Sequence, residues 1–165
     1  MKKRVLTTIL AAMLMLVSFG ATAQQSVNVE ESVKQFATEL EKTKGVDCVV
    51  LTDGIGLSMV KKVFNPKFGK EFMKDVTSMV IVDYADASND VRNSIRSKVD
   101  KLAEHLSEFK PDDHEIKEGE YLKSYATVVD EKHISNFMVI TENKENKVFF
   151  FMGGILNVEK MKTEE

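Results

Sequence analysis

The residues of this chain that could do chemistry fall into a few short clusters. Asp53-Gly54-Ile55-Gly56 joins a strand-like run to a helix-like one. Phosphate loops sit at such junctions, because free amides at a helix start attract anions. The third glycine of a dinucleotide fingerprint would stand where Met59 does, and no Gly-Lys-Ser/Thr follows. Asp53 would also repel a phosphate. The segment reads as a turn that needs glycine.

Asp112, Asp113, His114 and Glu115 form the second cluster. Carboxylates and an imidazole could hold a divalent cation, and Asp112 and His114 are the candidates for a metal. However, a calcium loop alternates its ligands around a glycine, and this run is consecutive. Neighbouring side chains in an extended run point apart. A solvated loop is the plainer reading. His105 follows Glu104 on a helical stripe, and His133 falls in a turn. No histidine pair has ligand spacing. Each reads as a surface histidine, although catalytic partners meet in space and not in sequence.

Cys48 is the single cysteine and lies among valines. It reads as a small apolar residue, with no local base to lower its pKa. No Gly-x-Ser-x-Gly elbow and no Ser-x-x-Lys dyad of the penicillin-binding kind follow the leader. A sugar-cleaving carboxylate pair would want aromatic platforms. The chain has no Trp and only three Tyr, and its ten Phe suit a core. We therefore expect no catalytic residues and no cofactor. Should a hydrolase or a small-ligand or metal-dependent site exist, Asp53, His105, Asp112, His114 and His133 would have to converge in one pocket.

The elements that would position these groups begin with a leader. Lys2, Lys3 and Arg4 precede an apolar run from Val5 to Val17, and Ala21-Thr22-Ala23 offers small residues at Ala21 and Ala23 before Gln24. This is the pattern of a signal peptide, residues 1–23, cleaved after Ala23. It predicts a periplasmic or secreted protein. Gln24 stands where a lipoprotein would need cysteine, so no lipid anchor is expected. The remaining residues, 24–165, suit a single globular domain by length. Such a chain hides roughly 68–70% of its unfolded surface on folding, so neither disulfide nor metal is needed. No later apolar stretch is long enough to span a membrane. Loss of the three leading cations moves the formal charge from −3 to −6. Such a surface repels phosphate backbones, which argues against nucleic acid as a partner.

Val29, Val33, Phe36, Ala37 and Leu40 recur at helical spacing, with Asn28 placed to cap and Gly45 to terminate. Val46 to Thr52 reads as a strand. Leu57 to Phe64 reads as a helix stopped by Asn65-Pro66, and Phe68 to Val76 as a second short helix. Ser78 to Asp83 is a buried strand. From Ser88, the stripe Val91, Ile95, Val99, Leu102, Leu106 and Phe109 predicts a helix of about six turns, with Arg96 and Asp100 paired across one turn. Three strands follow: Tyr121 to Val129, Ile134 to Thr141 and Val148 to Met152. The last, Val-Phe-Phe-Phe-Met, is apolar throughout and belongs at the centre of the sheet. Gly153-Gly154 invites a bulge, and Asn157 could cap a final short helix. The expected fold is α/β (α+β), ordered α-β-α-β-α-β-β-β. It has a mixed sheet of about five strands, a parallel first pair with a right-handed crossover, and a C-terminal antiparallel meander.

The chain resembles the domain of unknown function 4252 family of Bacteroidetes envelope proteins. The likeness rests on the signal segment, Val46-Asp-Cys-Val-Val-Leu51, Met79-Val-Ile-Val-Asp-Tyr84, Ile134-Ser-Asn-Phe-Met-Val-Ile140 and Phe149-Phe-Phe-Met-Gly-Gly-Ile155. The resemblance implies a small exported α/β domain with no assigned activity, one whose relatives occur beside extracytoplasmic-function sigma factors. It transfers no site residue. The function expected is a non-catalytic interaction domain that binds an envelope protein or peptide through a sheet face or edge.

Overall fold

The computed structural model describes residues 28–52, 54–109 and 119–160. Helix α1 is Val29–Leu40. Its start is set by Asn28, whose side chain accepts a hydrogen bond from the Glu31 amide at 3.2 Å. Glu30 and Glu31 occupy the first turn, where the helix dipole favours negative charge. Val29, Val33, Phe36 and Ala37 form its buried stripe. Gly45, with φ of 80°, turns the chain into strand β1, Asp47–Thr52.

Helix α2, Ile55–Phe68, starts from Gly54, whose φ of 91° is glycine territory. This is the turn the sequence suggested; Asp53 lies outside the described residues. Pro66 does not stop the helix. It sits in the last turn, and the Gly69 amide closes on the Asn65 carbonyl at 2.9 Å. A helical proline beyond the first turn costs about 3 kcal/mol, because it lacks the amide and its ring crowds the carbonyl four residues back. Burying Phe64 and Phe68 returns about 1.5–3 kcal/mol each, so packing wins. The expected second helix is instead a turn that buries Phe72 and Met73.

That turn corrects the expected topology. Gly69, with φ of 86°, redirects the chain. Strand β2, Asp75–Asp83, then begins beside the end that β1 left, with Thr52 opposite Ser78. The two strands are antiparallel, and no crossover arises. Helix α3 is Asn89–Leu102, capped by Ser88. It ends well before Phe109. Residues Ser107–Phe109 form strand β3 against β4, Tyr121–Val128, where the Ser124 hydroxyl donates to the Phe109 carbonyl at 2.7 Å. The unpaired edge of β4 thus outcompetes another helical turn. Strand β5 is His133–Glu142 and β6 is Lys147–Asn157, followed by a 3₁₀ turn at Val158–Lys160.

The sheet has six strands in the order β1-β2-β6-β5-β4-β3, and every pairing is antiparallel. The class is α+β. Strand β6 lies inside, between β2 and β5. Phe149 and Phe151 pack on one face with Val33, Phe36, Ile95 and Val99, beneath α1 and α3. Phe150 packs on the other with Leu57, Phe64 and Phe68, beneath α2. Side chains alternate along a strand, so helices on both faces account for an apolar residue at each position.

Gly153 and Gly154 mark a row of irregularities. Strand β2 gains Thr77 opposite them, and the register of β5 shifts around Asn136, whose φ is 50°. Gly154 has φ of 84°, and a Cβ there would run into the Asp75 carbonyl and the Thr77 amide. Gly154→Ala should therefore cost about 3 kcal/mol or more, from strain and overlap together. Gly119, also at positive φ but with open space around it, is the control. Gly119→Ala should cost only about 1 kcal/mol. Urea midpoints measured at unchanged slope will separate the two.

Candidate functional site

Among the described residues, the densest polar cluster lies where α3 crosses the ends of β4 and β5. Arg96 and Asp100 project from α3, one turn apart, and do not pair with each other as expected. Each reaches down to the sheet instead. Arg96 Nε donates to Glu142 Oε1 at 2.6 Å, and its terminal nitrogen donates to Oε2. Tyr84, just beyond β2, donates its hydroxyl to Glu142 Oε1 at 3.1 Å. Tyr84 is fully buried, and Glu142 is nearly so. The Arg96 guanidinium stacks over the Tyr121 ring, 4.6 Å from its centroid.

Asp100 anchors the outer half. Lys123 Nζ donates to Asp100 Oδ1 at 2.8 Å, and the Tyr125 hydroxyl donates to the same oxygen at 3.1 Å. Lys123 Nζ also stands 5.5 Å from the Tyr121 centroid. Tyr121, Lys123 and Tyr125 alternate along β4 and share the face toward α3. The chain's three tyrosines are thus gathered in one network.

The electrostatics show what this network can do. Burial, reinforced by the Glu142 carboxylate, pushes the Tyr84 phenol far up. Burial, with Asp100 beside it, pushes Tyr125 up to about 12. The hydrogen bond to Glu142 holds Arg96 up, and the one to Asp100 holds Lys123 up. All four shifts move away from neutrality. General acid–base work needs the opposite. The cluster fastens a helix to a sheet.

A second polar contact lies at the start of α1. Glu30 accepts from Lys34 Nζ at 2.8 Å and from the Thr77 hydroxyl at 3.2 Å, over the surface that Gly153 leaves bare. Burial raises its pKa, but the Lys34 ammonium and the hydrogen bonds from Lys34 and Thr77 help to outweigh that, and the net shift is downward. The carboxylate is held charged as a bracket between α1 and the β2 bulge.

Of the residues singled out in the sequence, His105, His133 and Cys48 fall among the described residues. Asp112, Asp113, His114 and Glu115, with Asp53 and the leader residues Ala21, Ala23 and Gln24, lie outside the described residues. His105 is exposed in the turn after α3, not on a long helix. His133 opens β5, with Nδ1 at 2.9 Å from an Asp130 carboxylate oxygen. Among the described residues, no three His, Cys, Asp or Glu side chains are placed to hold a metal. Cys48 is half-buried on β1, and burial, helped by Glu41 and Asp47, pushes its thiol up to about 11. No family model, curated protein or solved structure matches the chain.

Two measurements test these assignments. Glu142→Ala would leave Tyr84 and Arg96 without their common acceptor. We expect a loss of about 3 kcal/mol in unfolding free energy, the low end for a broken buried pair because Arg96 is partly solvated. At pH 8, the thiolate of Cys48 should be about a hundredfold scarcer than at the ordinary value of 9.0. Ellman's reagent should label the native protein about a hundredfold more slowly than the unfolded chain. The native rate should keep climbing as pH approaches 11.

Proposed function

We propose that this chain is an exported, periplasmic, non-catalytic interaction domain, and that its partner is an envelope protein or peptide added as a strand to β1. The observation that carries this reading is the free edge of β1. The helices take both faces of the sheet, which ends in β1 along six residues at one side and in β3 along three at the other, where β3 pairs with Ser124–Ala126 of β4. The longer of the two edge strands is β1. Among the described residues, β1 pairs only with β2 along its six residues. Val49, in its middle, is 38% exposed. An open edge offers a row of amides and carbonyls to an extended peptide, with pockets for alternate side chains adding selectivity.

Export rests on the leader pattern of residues 1–23. No described helix is long and apolar enough to cross a membrane. The resemblance to the domain of unknown function 4252 family accords with an envelope location and with a role in envelope signalling.

The test is capture in intact cells with a photo-crosslinking amino acid at Val49. A discrete adduct should form at Val49. Diffuse labelling, or none above that of a probe on exposed Glu104, would refute strand addition at β1.

A further inference from the structure

Helix α2 has two apolar faces, and only one meets the core. Leu57, Phe64 and Phe68 are buried beneath it, with Val60 packed alongside. On its outer side, Ile55 is 78% exposed, Met59 62% and Val63 51%. Their spacing of four aligns them in one stripe about 12 Å long. No other described element leaves three large apolar side chains in line.

The charges around the stripe are one-sided. From Gly54 to Lys70 there are four lysines (Lys61, Lys62, Lys67 and Lys70) and no Asp or Glu. The whole chain is −3, so this segment at +4 sits on a remainder of −7. Lys61 is occupied, donating to the Lys74 carbonyl at 2.9 Å. Lys62 and Lys67 are exposed. At about 100° per residue they fall on opposite flanks of the stripe.

We propose that α2 docks on an anionic lipid surface. It lies flat there, with Ile55, Met59 and Val63 at headgroup depth and Lys62 and Lys67 on lipid phosphates. The arrangement is that of an interfacial helix, in which long lysine stems reach past the apolar stripe to the phosphate layer. An anionic protein fits less well. A specific protein interface engages about 20–30 residues a side, far more than this patch offers. A bilayer asks for no matching shape. At 14 residues, α2 is too short to span and is suited only to lie on the surface. The inference concerns a different face from the β1 edge and stands whether or not that edge takes a peptide.

The chain has no Trp, so M59W is a single reporter on the stripe. The full chain carrying it is titrated with vesicles of equal parts phosphatidylglycerol and phosphatidylcholine at low salt. Emission should shift to the blue and be quenched by brominated lipid. Pure phosphatidylcholine vesicles and inorganic phosphate should each leave it unchanged, and high salt should reverse it. K62E/K67E should weaken binding by about thirtyfold or more, whereas K62R/K67R should keep it. Equal binding to neutral vesicles, or full binding by K62E/K67E with an unaltered circular dichroism melt, would overturn the proposal. So would vesicle pelleting without a fluorescence shift, which would place the contact elsewhere on the chain. A blue shift that grows with protein concentration without lipid would assign the stripe to a second copy instead.

Discussion

An apolar run such as Val148 to Met152 has to be covered from two sides. Side chains alternate across a strand, so Phe149 and Phe151 leave one face while Phe150 leaves the other. Solvating either face would forfeit about 1.5–3 kcal/mol for each large side chain. The fold answers by placing β6 between β2 and β5 and laying helices on both sides. The remaining architecture follows from that burial. Helices α1 and α3 take one face and α2 the other, so the link between β1 and β2 has to carry a helix of its own. Such a link can still return to the same end of the sheet, and Gly69 with the buried Phe72–Met73 turn makes it do so.

Apolar packing alone would let the helices slide on the sheet. Two polar brackets remove that freedom. At the start of α1, Glu30 engages Thr77 in the β2 bulge, over the bare surface of Gly153. On α3, Arg96 and Asp100 are tied to β5 and β4 by Glu142, Lys123 and Tyr125. The inner half of this second bracket is dry and the outer half is wet. Glu142 has 6% of its side chain exposed, whereas Asp100 has 45%. The geometric constraint comes from the dry half, because a buried acceptor with three donors tolerates little displacement. The wet half adds less energy, since solvent screens it.

Local features were legible in the sequence, and features set by distant partners were not. The cap at Asn28, the stripe of α1, the positive φ at Gly54, the bulge at Gly153-Gly154 and the inner place of β6 follow from adjacent residues. The end of α3 did not. Leu106 and Phe109 continue a helical stripe, yet β4 offers Ser107–Phe109 an edge that no local pattern announces. Arg96 and Asp100 had the right spacing to pair, but Glu142 lies 46 residues from Arg96, and Lys123 lies 23 from Asp100. The one available hint was the alternation Tyr121, Lys123, Tyr125, which puts a cation between two aromatics on a single strand face. The orientation of β1 against β2 was not legible for a related reason. A helical link fits either a parallel crossover or an antiparallel return, and the Gly69 turn with buried Phe72 and Met73 selects the return.

Burial on both faces of the sheet also limits where this protein can meet anything else. With the faces occupied, the surfaces left among the described residues are the edges at β1 and β3 and the outward sides of the helices. These outer sides are not equivalent. The Glu30–Lys34 and Glu39–Lys98 pairs place mixed charge on the side of α1 and α3. The outer side of α2 carries lysines and apolar side chains without a carboxylate. A sheet with helices on only one face would have kept a broad apolar floor for recognition. This one has traded that floor for a thick core, and its described residues leave only narrow features open at the margin.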